Sequence, residues 1–156
     1  MNKNMYNITK SDQLAEVQVS YSTKIKAQDR KKITSSKESV DVLRSVWSDK
    51  IEYLEEVLIL LLNRQNQVLG WCKISSGGTS SSVVDPKVIF QIALNSNASA
   101  IILSHNHPSG NLRPSEADNQ LTKRIKEGGK ILEILLLDHV IITEDSYYSY
   151  ADEGQI

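Results

Sequence analysis

Apolar and polar residues follow each other along the chain with two different periods, which predict alternating strands and helices. Residues 17–25 place Val, Tyr, Thr and Ile at every second position with polar residues between most of them, as in a half-buried strand. Residues 57–62 and 98–103 are predominantly apolar runs, which are typical of buried strands. A turn is expected at residues 63–67, so that residues 68–74 return as the hairpin partner of the strand at 57–62.

Two helices are predicted by their caps and by apolar residues spaced three or four positions apart. The first begins at the capping box of residues 35–38 and continues to about Trp47. The second follows Asp85, which caps it, and Pro86, which suits a first helical position, and it ends at residues 95–97. The predicted inner faces are Val40, Leu43, Val46 and Trp47 in the first helix, and Val88, Ile89, Ile92 and Ala93 in the second.

A third helix should begin at Ser115 and end at Gly128-Gly129, because glycine is a common helix stop. Residues 131–143 then predict a long strand with a bend near residues 138–139, followed by a short strand at 147–150. The predicted buried side of the third helix is Ala117, Leu121 and Ile125. This order of elements predicts an α/β fold in which a mixed, largely antiparallel sheet is flanked by helices.

Composition limits the classes of protein that the chain can represent. Its 156 residues suit one domain with a single substantial core, and 18 Lys and Arg against 19 Asp and Glu give no overall basic surface for nucleic acid. Cys72 is the only cysteine, which excludes an internal disulfide and a multi-cysteine zinc site, and we interpret it as a small core residue. No apolar run resembles a secretory signal or spans a bilayer, so a soluble cytoplasmic protein without a membrane partner is expected.

The segment before the first helix is predicted to consist of the strand at 17–25 and a basic loop. Residues 24–32 carry five positive side chains, which could contact an acidic partner such as nucleic acid. No aromatic residue or glycine is interleaved with them, so a solvated loop is the favoured interpretation. The Gly- and Ser-rich residues 77–82 either border a substrate groove or simply connect two elements. The predicted organisation is therefore an N-terminal part, residues 1–34, that leads into a domain at residues 35–156.

Candidate chemistry is concentrated in the stretch SHNHPSGNLRPSEAD, residues 104–118. Because side chains two apart in an extended segment point the same way, His105 and His107 can aim at one point, and Asp118 in the next helix can reach it. Two imidazoles and one carboxylate suit Zn²⁺ and leave a fourth position for water, as in catalytic sites. Ser115 and Asp118 also form a capping box, which could explain both residues by helix capping alone.

These motifs resemble those of a known family. His-x-His, seven residues and then Ser-x-x-Asp resembles the metal signature of the JAMM (JAB/MPN-type) metalloproteases. HNHPSGN, with Pro114-Ser115 and Leu137-Asp138-His139 further on, is similar to the RadC branch of that family. The resemblance covers residues 35–153. It implies a JAB/MPN-like (cytidine-deaminase-like) sheet flanked by helices, with one zinc ion held by His105, His107 and Asp118.

The resemblance also implies a reaction. In JAMM proteases zinc-activated water cleaves peptide, isopeptide or small amide bonds, and a glutamate moves the protons. The family pattern places that glutamate at Glu55, although its neighbour Glu56 is the alternative; the two should face opposite ways. Ser115 matches the residue that donates a hydrogen bond to the developing oxyanion. The expected partner is thus a peptide, isopeptide or small amide substrate, and the sequence carries no signal for an oligomeric state.

A non-catalytic module in DNA repair or genome maintenance is the alternative that the RadC resemblance brings. The charge balance argues against autonomous DNA binding, and the segment before residue 35 offers no pair of helices like the RadC family's upstream helix-hairpin-helix region. A zinc-dependent nuclease would use the same ligands but would need a basic groove for phosphates. His139, the third histidine, is flanked by apolar residues and is interpreted as a packed strand position.

Overall fold

A computed structural model describes residues 17–18, 20–77 and 84–156. Val19 and residues 78–82 of the predicted connector lie outside the described residues. Within the described part, the chain forms a five-stranded sheet and three α-helices, preceded by a 3-10 turn at Ala27–Asp29. The strands are β1 (Glu56–Leu62), β2 (Val68–Ser76), β3 (Ala100–Asn106), β4 (Leu135–Ile142) and β5 (Tyr147–Ser149). The helices are α1 (Ser36–Val46), α2 (Pro86–Asn95) and α3 (Glu116–Leu132).

The sheet has the strand order β2-β1-β3-β4-β5. β1 is antiparallel to both β2 and β3, and β5 is antiparallel to β4. Only β3 and β4 run parallel, because α3 crosses back over the sheet between them and returns the chain to the same end. The α/β class and the mixed, largely antiparallel sheet are therefore confirmed.

Side chains alternate along the central strands and so fill two cores, one under each layer of helices. The core beneath α1 includes Val40, Leu43, Leu58, Leu60, Ile102 and Val140. The core beneath α2 and α3 includes Val57, Ile59, Ile89, Phe90, Leu103 and Ile125. Odd-numbered residues of β3 consequently face α2 and α3, whereas even-numbered residues face α1. This alternation determines where the side chains of the HNH sequence point.

The predicted strand at residues 17–25 is wrong for the residues that the structure describes. Residues 17–18 and 20–25 form no strand, and Val17 is 87% exposed. The segment contacts the sheet through Tyr21, whose hydroxyl donates a hydrogen bond to the carbonyl of Leu69 (2.8 Å). Further along, Lys32 forms a bridge with Gln67, at which the backbone N–H of Val68 donates to the carbonyl of Lys31 (2.8 Å) and that of Ile33 donates to the carbonyl of Asn66 (2.9 Å). Alternation alone does not place a segment in a sheet, because its backbone must also pair with a neighbouring strand. The basic residues of the loop at residues 24–32 are mostly exposed.

The predicted helix stop at Gly128-Gly129 is also wrong, and so is the strand start at residue 131. α3 continues to Leu132 and ends at Glu133, which takes the left-handed conformation (φ 56°). The two glycines allow close packing instead: a Cβ atom would lie 2.7 Å from the ring of Phe90 at position 128 and 2.2 Å from the carbonyl oxygen of Ile134 at position 129. β4 is consequently shorter than predicted.

The predicted helix faces are correct in part. Val40, Leu43, Ile89, Ala93 and Ile125 are buried as expected. Val88 and Ala117, which the pattern predicts on inner faces, are exposed, and Phe90 and Thr122 are buried in their helices instead. None of the helices in residues 20–77 and 84–156 has both the length and the apolar character needed to cross a lipid bilayer.

Candidate metal centre

The two histidines of the HNH sequence lie at the end of β3 and converge. His105 is buried on the α2/α3 side of the sheet. His107 follows the strand, and its backbone N–H donates to the carbonyl of Ile142 (3.0 Å), which keeps it beside the end of β4. The Nε2 atoms of the two imidazoles are 3.0 Å apart. The predicted convergence of i and i+2 is therefore present.

Asp118 joins them from the first turn of α3. Its Oδ1 lies 3.1 Å from Nε2 of His105, and its Oδ2 lies 3.6 Å from Nε2 of His107. The aspartate is held by the N-terminus of its own helix, because Oδ2 accepts hydrogen bonds from the backbone N–H (2.7 Å) and the hydroxyl (2.6 Å) of Ser115. The Ser115 hydroxyl in turn accepts from the backbone N–H of Asp118 (3.1 Å), which completes the predicted capping box.

The same hydrogen bonds between Ser115 and Asp118 thus cap α3 and hold the Asp118 carboxylate beside the two histidines. The Ser115 hydroxyl gives its hydrogen to Asp118, so it orients the carboxylate. Donation from Ser115 to a substrate oxyanion requires that hydroxyl to turn away from Asp118. That role stays a prediction.

The donor atoms of this cluster suit a divalent cation. Nε2 of each histidine and a carboxylate oxygen of Asp118 lie within 4.8 Å of one another. Nδ1 of His107 is 2.6 Å from the backbone carbonyl of Asn111, which can only accept, so the ring proton is on Nδ1 and Nε2 presents its lone pair to the cluster. Lone pairs and a carboxylate that face each other repel unless they share a positive charge. His and Asp ligands of this kind fit Zn²⁺.

The charges at the site favour binding of a cation. Burial opposes ionisation of Asp118, but the adjacent imidazoles of His105 and His107 outweigh it and hold the pKa of that carboxyl far below its usual range. The contact with Asp118 raises the pKa of His107 despite partial burial. A proton and a metal ion therefore compete for the same imidazole, and metal binding should release protons.

Glu55 lies beside the same cluster. It immediately precedes β1, and a pocket of about 640 Å³ is lined by its side chain together with His107, Ser115 and Asp118. The negative charge of Glu55 contributes to the raised pKa of His107. Of the two candidate glutamates, Glu55 is the one whose side chain borders the pocket with the metal-ligand candidates.

Glu56 points the other way, into the protein. It is only 1% exposed and forms an ion pair with Lys73. Its carboxylate also accepts hydrogen bonds from the hydroxyls of Ser48 (2.6 Å) and Ser76 (3.3 Å). Burial opposes its ionisation, but the hydrogen bonds from Lys73 and the two serines prevail and lower the pKa of Glu56. The opposite orientation of the two glutamates matches the prediction from strand geometry.

Asn106, between the two histidines, has a structural role that the sequence did not reveal. It is fully buried on the α1 side. Its amide nitrogen donates to the carbonyls of Ile51 (2.6 Å) and Leu54 (2.8 Å), and its side-chain oxygen accepts from the backbone N–H of Glu56 (2.7 Å). This asparagine fixes the segment that leads into β1 and so helps to place Glu55. The signal in the sequence was a polar residue in a strand otherwise expected to be buried.

His139 is buried in β4, as its apolar flanks predicted, but it also contacts a candidate ligand. Its Nε2 lies 2.9 Å from Nδ1 of His105, and it has no exposed surface. Burial lowers the pKa of His139 well below its usual value. β3 and β4 are parallel, and His139 pairs with Leu103, two residues before His105, so both histidines face α3. Finding this contact from sequence would have required the register of the two strands.

The fold and the site are those of a JAB-type domain. The sheet has one parallel pair of strands, two histidines lie at the end of a central strand, and an aspartate lies in the next helix. The chain belongs to the RadC family, since the family model described as "RadC-like JAB domain" matches residues 33–155. The resemblance drawn from the motifs over residues 35–153 is confirmed.

Curated bacterial relatives share this region. A protein of Flavobacterium johnsoniae is 45% identical over 124 residues, which cover 80% of this chain and 53% of the relative. One from Porphyromonas gingivalis is 41% identical over 126 residues, with 80% and 55% covered. Both carry only the name "UPF0758 protein". The chain thus spans about half the length of the curated relatives that it matches.

Proposed function

We propose that this domain is a zinc-dependent hydrolase that cleaves an amide bond in a peptide, an isopeptide or a small amide. The supporting observation is the convergence of His105, His107 and Asp118 within 4.8 Å at a pocket that Glu55 also lines. Membership of a family built on the JAB domain makes this chemistry the expected use of such a site. The proposed metal ligands are the three convergent residues.

Each residue has a defined task in the proposed reaction. A bound Zn²⁺ would lower the pKa of a coordinated water to about 7 and so supply a nucleophile at neutral pH. Glu55 accepts the proton of the attacking water and delivers it to the amide nitrogen, which leaves poorly unless it is protonated. Ser115, which now donates to Asp118, is the candidate donor to the oxyanion that forms on the substrate carbonyl.

Two variants test the proposal at separate steps. The parent protein should retain stoichiometric zinc after dialysis, whereas His107→Ala should lose it, because one of three ligands is removed. Glu55→Gln should retain zinc but lose hydrolysis, because the amide cannot accept a proton. Glu127→Gln, the same change at an exposed position on α3, serves as the control and should leave both properties unchanged.

The measurements are elemental analysis of the purified proteins and a cleavage screen with peptide, isopeptide and small amide substrates. Zinc that stays bound to His107→Ala would show that the ligand assignment is wrong. Full hydrolysis by Glu55→Gln would remove Glu55 as the proton carrier. Salt-dependent binding of DNA fragments, with no zinc retained by the parent, would favour the non-catalytic genome-maintenance module instead of the enzyme.

A further inference from the structure

A series of hydrogen bonds links His105 to His139 and Thr122, two residues that have no role in the proposed reaction. His105 Nδ1 is 2.9 Å from Nε2 of His139, and His139 Nδ1 is 2.6 Å from the hydroxyl of Thr122. The Thr122 hydroxyl is 2.7 Å from the backbone carbonyl of Asp118. We infer that His139 is a positioning residue that fixes the ring proton of His105 on Nδ1 and thereby presents Nε2 of His105 to a metal. The inference rests on the proposed metal site but not on hydrolysis.

The donor and acceptor in each of these hydrogen bonds follow from the contact between Thr122 and Asp118. A backbone carbonyl can only accept a hydrogen bond, so the single proton of the Thr122 hydroxyl points to Asp118. Tyr150 also contacts the Thr122 hydroxyl, but the Tyr150 hydroxyl donates its hydrogen to Asn119 (2.8 Å). The Thr122 oxygen therefore accepts from Nδ1 of His139. His139 therefore carries a proton on Nδ1.

The next step depends on the surroundings of His139. The ring is fully buried, and it stacks on Tyr150 with 4.9 Å between ring centres and 5° between planes. The described structure places no carboxylate against either ring nitrogen of His139, so a second proton would leave a buried and unpaired charge. A neutral ring protonated on Nδ1 has a bare Nε2. That nitrogen accepts from His105, which is thus protonated on Nδ1 as well.

The two candidate ligands reach the same tautomer through partners of different kinds. His107 is fixed by the backbone carbonyl of Asn111, which no substitution removes directly. His105 depends on the side chain of His139, which a single substitution can remove. Partners that orient a ligating imidazole are typically worth about 10- to 100-fold in metal affinity. The loss of this partner is therefore measurable as weaker metal binding.

Two substitutions at position 139 separate positioning from packing. His139→Phe keeps an aromatic ring for Tyr150 but offers no acceptor to His105, so its zinc affinity should fall by about 10- to 100-fold. His139→Gln offers an amide oxygen to His105 and an amide N–H to Thr122, so it should restore most of that affinity. Competition of each protein with a chromophoric chelator for zinc gives the affinities, and thermal unfolding shows which variants are folded. A folded His139→Phe protein that binds zinc as tightly as the parent would overturn the inference.

The unsubstituted protein provides a second test that no folding defect can obscure. Nitrogen-15 NMR of the imidazoles should show His139 protonated on Nδ1 and bare on Nε2, and His105 protonated on Nδ1, both without metal and with zinc. A proton on Nε2 of His139 would overturn the inference. Zinc binding without cleavage of any substrate would overturn the proposed hydrolase and leave this assignment in place, so the two failures are distinguishable.

Discussion

Two adjacent glutamates at the start of β1 face opposite ways, and we expect one to serve the proposed reaction and the other to stabilise the fold. Glu55 borders the pocket, whereas Glu56 is bound by Lys73 and two serines inside the protein. Glu56→Gln should therefore leave zinc binding and cleavage almost unchanged but weaken the fold. The pair is a matched comparison, because the same substitution at either position removes one charge from the same strand end.

At neutral pH Glu56→Gln is expected to lower the free energy of unfolding by about 1–3 kcal/mol, since hydrogen bonds to a charged group become neutral ones and Lys73 is partly screened by solvent. The pKa of Glu56 is lowered in the fold, so its ionised form stabilises the protein above its unfolded pKa. That contribution is lost as the pH falls from the unfolded pKa of about 4.3 through the lower folded pKa, so the difference between parent and variant should shrink in that direction. Urea unfolding at several pH values measures the difference; one that did not change with pH would contradict the assignment.

Ser115 is expected to contribute to stability and to catalysis through the same hydroxyl. Ser115→Ala removes the hydroxyl that caps α3, which should cost about 1 kcal/mol of unfolding free energy. If the hydroxyl also serves the oxyanion, kcat of the zinc-saturated variant should fall, whatever the change in zinc affinity. Ser115→Thr, which keeps a hydroxyl, is the control for both readouts. A loss confined to zinc affinity would instead limit Ser115 to holding Asp118.

At the scale of the elements, β3 meets the segment before β1 through Asn106. Asn106→Asp keeps the side-chain shape but turns a donor to two carbonyls into an acceptor, so we expect a loss of about 2–4 kcal/mol in unfolding free energy. The segment that carries Glu55 should move, and cleavage should fall while zinc is retained. Asn95→Asp makes the same change at the exposed end of α2 and should affect neither. Unfolding curves and turnover rates of the two variants compare them; equal stability would contradict the role of Asn106.

The elements that the sequence predicted well are those whose signal is local. The apolar runs of β1 and β3 are buried along their whole length, and the caps at Ser35, Asp85 and Ser115 begin helices as expected. The spacing of apolar residues and the helix caps depend only on residues close in sequence, so they can be interpreted without knowing which distant residues they contact. The convergence of His105, His107 and Asp118 belongs to this group, since a single strand–loop–helix unit brings these side chains together.

The elements that were predicted wrongly depend on contacts between distant residues. Gly128 and Gly129 predict a helix end, but both lie within α3, where a side chain at position 129 would clash with the backbone carbonyl of Ile134 and one at position 128 would displace the ring of Phe90. The contact from His139 to His105 follows from the parallel register of β3 and β4, which no local pattern contains. Residues 17–25 had the period of a strand but, where described, they pair with no strand of the sheet.

At the scale of the whole molecule, a metal ion should join β3 to α3 and stabilise the domain. Zinc at about 100 times its dissociation constant adds roughly 2.7 kcal/mol to the free energy of unfolding, which corresponds to a rise of roughly 10 °C in Tm for a domain of this size. His107→Ala should show little of this rise. Ca²⁺ should produce little in either protein, because it prefers sites built from oxygen. Thermal unfolding with each ion measures the effect, and equal shifts with Zn²⁺ and Ca²⁺ would contradict a histidine site.

The proposed ligands occupy residues 105–118, whereas His139 comes later in the chain. Joining the ends of so short a loop costs little entropy, so the coordinating groups can assemble soon after they leave the ribosome. Full retention of the metal has to wait until the following strand has been synthesised and has docked alongside β3. If the site binds zinc as proposed, the order of residues in this chain would separate early capture of the ion from its later, tighter binding.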